Sequence, residues 1–303
     1  APPHRMLQFA PEDRAVAHRR FLAALELETL GDDGFTASAG RDGSRLFGGQ
    51  LAAQALVAAA RTLPEPRQED RAPRRAHSLH AYFYLPGRPG TDLRIGVERI
   101  RDGRSFSARR VGIRQAERLI FELAASFTTA QPGFEHGEPA PTVPPPEECG
   151  DREERRLEVF GEGWLELGIN AVEVRLTQPE LLDPPPGTAP VQRNWVRFPC
   201  AHPGGAPEIQ DAMLLFASDR GLLSTAALPH GLQWGRSAGA SLDHALWIHE
   251  PVDLAQWHLF VLHSPRAVHG RALMHTRIYD REGRHVASAA QEALMRSPAP
   301  ARS

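Results

Sequence analysis

Gly235-Arg236-Ser237-Ala238-Gly239 carries the G-x-S-x-G spacing of a nucleophile elbow, and Asp253 or Asp280 followed by His285 completes a serine–acid–histidine order. In such an elbow a serine hydroxyl attacks a carbonyl from a tight turn between a buried strand and a helix. Here Gly231-Leu232-Gln233-Trp234 precedes the motif and the alternating run Leu242–Ile248 follows it, so the pattern reads as a loop entering a strand. The 14 histidines fall without a ligand spacing such as H-E-x-x-H, so no metal site is expected. Their closest pair, His77 and His80, is expected on opposite faces of a strand. Arg74-Arg75 and Arg109-Arg110 suit phosphate groups, although a solvated face is the alternative. Strand neighbours point to opposite sides, so at most one of Arg109 and Arg110 can meet a given ligand.

The elements that would hold such residues come in two similar sets. A helix is expected from about Gly49 to Arg61, with Leu51, Ala55 and Ala58–Ala59 at helical spacing behind Gly48-Gly49. Strand-like runs follow at Leu79–Leu85, Leu93–Ile100, Ser105–Ile113 and Leu119–Phe127. The second set opens with a helix from about Ile209 to Ser218. Its strands are expected at Leu242–Ile248, Trp257–His263, Arg271–Tyr279 and His285–Met295. An offset of 165 residues aligns the sets: Pro86 falls on Pro251, Glu117 on Glu282, Gln54 on Asp219 and Ser126 on Gln291. Between them the Pro-rich stretch from Pro132, with Pro144-Pro145-Pro146, runs into the charged Asp151–Arg156 and reads as a stiff linker. Single helices among runs of strands indicate an α+β fold with antiparallel sheets.

Composition removes several mechanisms. All 35 basic residues are arginines, so there is no amine for a Schiff base and no phosphate-binding P-loop or kinase lysine. With 37 acidic residues the net charge is −2, which draws no polyanion by bulk charge, so no nucleic-acid partner is expected. Cys149 and Cys200 are too few for a disulfide framework. No apolar run reaches the roughly 20 residues that span a bilayer. The opening Ala1–Met6 is not followed by an apolar segment, and the closing Ala301-Arg302-Ser303 is not a peroxisomal tripeptide, so a cytoplasmic location is expected.

Several separated blocks resemble the acyl-CoA thioesterase II family. They are Leu46-Phe47-Gly48-Gly49-Gln50, His77–Phe83, Arg101–Val111, Ala124-Ala125-Ser126-Phe127 and Pro132-Gly133-Phe134-Glu135-His136. In the second half Ala217-Ser218-Asp219, Leu228-Pro229-His230-Gly231 and Ser241-Leu242-Asp243-His244 are similar to it as well. The resemblance spans about residues 15–296. It implies a double hotdog, two helix-wrapped antiparallel sheets in one chain, that hydrolyses fatty acyl-CoA without a cofactor.

The resemblance also implies an acid, a hydroxyl and an amide that hold an attacking water, matching Asp219, Ser241 and Gln291. The family often has threonine where Ser241 stands, and serine keeps the hydroxyl while losing the methyl that stiffens the rotamer. A carboxylate can take a proton from water as it attacks, with hydroxyl and amide orienting that water. Gly48-Gly49 at a helix start is a candidate source of oxyanion donors. Taken singly, Asp219 reads as a solvated acid ending a helix, and Ser241 as a turn residue opening a strand. Gln291 reads as an amide in a small apolar stretch that needs a partner if buried.

The expected layout is an N-terminal hotdog over 10–130, a linker over 131–160 and a C-terminal hotdog over 161–298 carrying the trio. A homodimer or larger assembly is expected from exposed sheet edges. Two alternatives are a non-catalytic acyl-CoA-binding protein and a serine esterase using Ser237. Asp253 and His258 have the D-x4-H spacing of hotdog-type enoyl-CoA hydratases, but Leu254-Ala255-Gln256-Trp257 lacks the Asn-Pro of that loop.

Overall fold

Alternating apolar residues and tight turns give the strands, and two Ala- and Leu-rich segments give the helices they wrap. The computed structural model describes residues 11–40, 46–66, 73–161, 171–179, 181, 183–201, 204–232 and 239–296. The first half contains α1 (Pro11–Ala24), β1 (Glu28–Gly31), β2 (Gly34–Ala37), α2 (Gly48–Ala60), β3 (Arg75–Phe83), β4 (Leu93–Asp102), β5 (Phe106–Gln115) and β6 (Arg118–Thr128). The chain then passes through β7 (Gly150–Asp151) and α3 (Arg152–Phe160) to β8 (Glu173–Leu176) and β9 (Val191–Arg197). The second half continues with α4 (Pro207–Ser218), α5 (Leu222–Ala227), β10 (Gly239–Ser241), β11 (Asp243–Ile248), β12 (His258–Val268), β13 (Arg271–Tyr279) and β14 (His285–Met295).

The strands form one antiparallel sheet in the order β1-β2-β4-β5-β6-β3-β11-β14-β13-β12-β9-β8-β7, with β10 beside β14. The two expected sheets therefore meet edge to edge through β3 and β11, where Leu79 lies opposite Leu246 and Ala81 opposite His244. Closing the two inner edges on each other satisfies backbone groups that would otherwise be exposed. Helices α2 and α4 pack together inside the curved sheet, and their buried residues belong to one continuous core. That position explains the composition of α2: from Leu51 to Ala59 every residue is buried, so no polar face is left for solvent. Its one long polar side chain there, Gln54, donates to the carbonyls of Ala24 at 2.8 Å and Ser38 at 3.1 Å. This is the α+β double-hotdog arrangement that the sequence predicts.

The repeat holds more strictly in the strands than in the helices. Arg94 pairs with Arg114 across β4–β5, and Leu259 pairs with Tyr279 across β12–β13, each member displaced by 165 positions. Two of the expected equivalences fail. Arg109 pairs with Ala125 while Met274 pairs with Gln291, so the counterpart of Gln291 is Ala125 and not Ser126. The β5–β6 turn is only Ala116-Glu117, with φ of 45° and 63°, whereas residues 280–284 separate β13 from β14. The extra length slips the last strand by one residue, which exchanges the faces of its side chains. Gln54 sits in the middle of α2, whereas Asp219 follows the last residue of α4, so these two are not equivalent either. The insertion of α5 between α4 and β10 displaces the second helix relative to the strands.

The segment after Pro132 runs along the outside of the second half. Trp195 Nε1 donates to the Pro144 carbonyl at 2.8 Å, and Cys149 packs with Trp195, Trp257 and Tyr279. The charged stretch at its end folds into β7 and α3. Asp151 caps α3 by accepting from the backbone N–H groups of Glu153 and Glu154 at 2.8 and 3.3 Å, and Arg14 holds its carboxylate at 2.8 Å. Among the described residues no helix is long and apolar enough to cross a membrane.

Candidate active site

The end of α4 meets the start of α2, because the two helices run antiparallel. A Cβ on Gly49 would lie 2.9 Å from the Phe216 carbonyl oxygen, and one on Gly48 would lie 3.0 Å from Asp219 Oδ2 and 2.7 Å from Phe83 Cε1. Only glycine permits this approach of backbone to carboxylate. Asp219 is the C-cap of α4, with φ −76° and ψ −4°. A negative charge is disfavoured at its own helix's C-terminus and favoured at the N-terminus of α2, whose first N–H groups lack intrahelical partners. Gln50 and Leu51 already return to the Phe47 carbonyl, which leaves the amides of Gly48 and Gly49 at the open end.

The other two predicted residues reach the same place from the sheet. Ser241 ends β10, and Gln291 lies on β14 with 2 % of its surface exposed. Gln291 Nε2 donates to Ser241 Oγ at 2.9 Å. Its Oε1 faces His244 Nδ1 at 2.7 Å, and His244 Nε2 faces Ser218 Oγ at 2.9 Å. Asp219, Ser241 and Gln291 all line one cavity of about 680 Å³, together with Gly48. Apolar side chains such as Leu51, Phe83, Leu85 and Leu294 complete much of its wall. A second cavity of about 520 Å³ shares Leu223, Ser224 and Gly239 with the first.

Burial pushes the Asp219 carboxyl above the ordinary aspartate range, against the pull of His244, the Gly49 N–H, the Gln291 amide and Arg220. Its Oδ1 is shut off from solvent and has no hydrogen-bond partner. Arg220 packs over the Phe47 ring, 5.6 Å from its centroid. Burial and the nearby Arg152 and Arg156 lower its pKa to about 9, which still leaves it charged at neutral pH. Arg152 and Arg156, both from α3, line the cavity as well. Burial opposes ionisation of Glu153, but Arg152, Arg156 and Arg220 hold its carboxyl below the usual range. Carboxylate, amide and hydroxyl can together bind and activate a water beside an apolar wall.

The remaining sequence candidates among the described residues are engaged elsewhere. Gly235 and Ser237 of the G-x-S-x-G motif lie outside the described residues. Asp280 accepts from the backbone N–H and Nε of Arg284, while His285 stacks on Tyr279. Asp253 accepts from the Ala255 N–H at 3.1 Å, and His258 Nδ1 faces the Gln256 carbonyl at the same distance. Arg109 is buried and bound to Asp102 and Thr62, whereas Arg110 is exposed beside Glu98, so the expected division of faces holds. Arg75 pairs with Asp211, and Arg74 donates to the Gly103 carbonyl at 2.8 Å.

His77 and His80 do not face opposite sides. A bulge between Ala76 and Ser78 turns His77 onto the outer face against Ser126 and Phe106, the face on which His80 meets Trp247. Among the described residues no three His, Cys, Asp or Glu side chains gather to hold a metal ion.

The sequence reading missed Arg152, Arg156 and the coupling of His244 to Gln291. The signal for the arginines was the dense charge after the Pro-rich run, which reads as solvated until the fold buries it. For His244 the signal was an imidazole at an inward position of an alternating strand.

Residues 37–128 match the family model described as the acyl-CoA thioesterase N-terminal domain, and residues 138–295 match its C-terminal domain. The chain is 36% identical over 265 residues to acyl-coenzyme A thioesterase 8 of Rattus norvegicus, covering 84% of this chain and 81% of that protein. It is 34% identical over 281 residues to acyl-CoA thioesterase 2 of Haemophilus influenzae, covering 90% and 95%. The crystal structure of the acyl-CoA thioesterase II TesB2 from Mycobacterium marinum superposes with a TM-score of 0.75 at 35% identity, covering 92% of this chain and 99% of that one. With both halves matched in order and the strand–helix junction in place, this chain belongs to the acyl-CoA thioesterase II family of double-hotdog thioester hydrolases.

Proposed function

We propose that the chain hydrolyses fatty acyl-CoA to free fatty acid and coenzyme A, with Asp219 as general base and Ser241 and Gln291 orienting the water. The observation that carries this reading is the convergence of Asp219 and the hydrogen-bonded Gln291–Ser241 pair on one cavity. Asp219 takes a proton from water as its oxygen bonds to the thioester carbonyl carbon. The positive end of α2, whose Gly49 N–H already reaches Asp219, stabilises the resulting oxyanion. As the carbon–sulfur bond breaks, the proton returns from Asp219 to the departing thiolate. No acyl-enzyme forms, and the acyl tail lies along the apolar wall.

The proposal places the trio in a C-terminal hotdog over 161–298, joined by a linker over 131–160 to an N-terminal hotdog over 10–130. It includes a cytoplasmic location and a homodimer or larger assembly; the second draws on edge strand β1, which is exposed along its whole length.

Release of free thiol from a ladder of acyl-CoA chain lengths tests the reading, with wild type beside Asp219→Asn. A folded variant that loses at least ~100-fold in kcat supports it. Wild type that binds acyl-CoA without releasing thiol makes the chain a binding protein. A variant as active as wild type removes Asp219 from the mechanism.

A further inference from the structure

An amide is nearly symmetric in shape, so a buried glutamine can turn its oxygen or its NH2 towards a site with little change in packing. The choice matters at Gln291. A carboxylate only accepts hydrogen bonds, so an amide oxygen turned towards Asp219 would repel it, whereas NH2 can donate to the carboxylate and to Ser241. Some group behind Gln291 must fix the orientation, and His244 is the one in contact. It lies on β11 with 1 % of its surface exposed, outside the cavity wall, and its Nδ1 is 2.7 Å from Gln291 Oε1. Because Oε1 only accepts, Nδ1 carries the hydrogen. The far side of the ring is anchored as well: Nε2 faces Ser218 Oγ, which lies 2.9 Å from the Leu215 carbonyl in the last turn of α4. Ser218 is also the residue before Asp219. The chain of contacts therefore ties the end of α4 to β11 and β14.

We propose that His244 is a positioning residue of the hydrolytic site: its Nδ1–H holds the Gln291 amide with oxygen turned away from Asp219 and NH2 turned towards it. This inference rests on the assignment of Gln291 in the proposed mechanism. Beside its longer-range pull on Asp219, His244 then acts on the reaction through Gln291, without contact to substrate.

The test compares His244→Asn, His244→Gln, Gln291→Ala and the double variant His244→Gln/Gln291→Ala, using steady-state hydrolysis of decanoyl-CoA and thermal melts of each protein. An Asn side chain places an amide N–H where Nδ1 stood, whereas Gln reaches towards Ser218 and leaves Oε1 without a donor. The expected result is that Gln291→Ala and His244→Gln each lose about tenfold or more in kcat with little change in KM. His244→Asn stays within about threefold of wild type, and His244→Gln costs nothing further once Gln291 is alanine.

Equal losses in the Asn and Gln variants, or a His244→Gln loss that persists beside Gln291→Ala, overturn the inference while leaving the trio intact. A fully active Gln291→Ala overturns the assignment of Gln291 itself, and the inference with it. If His244→Gln does not fold, His244→Leu supplies the same missing donor and the same comparison.

Discussion

The two halves place different residues at the same positions, and the difference falls at the site. In the first half Leu79 lies opposite Ala125 across β3–β6, both buried and apolar. In the second half their counterparts are His244 and Gln291, both buried and joined by a hydrogen bond. The helix ends differ in the same way. Arg61 caps α2 and donates to the Leu27 carbonyl at 2.6 Å, while its guanidinium covers the Phe35 ring. A cation at a helix C-terminus complements the dipole. Asp219, at the end of α4, has the opposite sign. One helix junction of the pair is arranged for stability, and the other holds charge where stability alone would not place it.

That contrast predicts its largest effect at Asp219. Its carboxyl pKa is raised in the folded state above the unfolded value of about 3.9, so the fold favours the protonated form. The associated stability is present below the unfolded pKa and is lost as pH rises through the folded one. At neutral pH, Asp219→Asn should therefore lose at least ~100-fold in kcat while its melting temperature rises. A lower melting temperature would mean that the carboxylate is a structural element.

Converting the second half to the first, with His244→Leu and Gln291→Ala together, should lower kcat about tenfold or more. Stability should stay within ~1 kcal/mol in urea denaturation, because both partners of the hydrogen bond leave at once. A loss of several kcal/mol would show that the polar pair holds the fold.

Gly49→Ala should cost about 1–3 kcal/mol and activity together, because its Cβ would press on the Phe216 carbonyl and part the helices. Loss of one without the other would uncouple the helix junction from the site. The smallest effect belongs to the opposite junction: Arg61→Ala should cost about 1 kcal/mol or less, with kcat unchanged. A change in kcat there would mean that the two junctions communicate.

Much of this architecture was legible in the sequence because alternation and helical spacing are local signals. β13 and β14 fall on the expected Arg271–Tyr279 and His285–Met295, and α4 begins two residues ahead of the expected Ile209. The exact equivalences were not legible. A longer β13–β14 connection moves Gln291 by one residue onto the inner face, and an offset counted along the chain cannot register a change of face. The bulge at Ala76–Ser78 hid the common face of His77 and His80 for the same reason. Asp219 and Ser241 came from resemblance to known blocks, since a terminal acid and a strand-opening serine carry no signal by type. Arg152 and Arg156 look solvated in sequence, and only the packing of α3 against β7 and β8 brings them to the cavity.

The most direct test of the central claim, that the half-buried Asp219 carboxylate is the base, is the pH dependence of kcat/KM for thioester hydrolysis. In the proposed mechanism the ionised form is the active one, and burial raises its pKa. Activity should therefore rise with pH along an acid limb displaced above the ordinary aspartate value of about 3.9, and Asp219→Asn should abolish that limb. A limb that survives unchanged in Asp219→Asn would assign the base to another group and contradict the account.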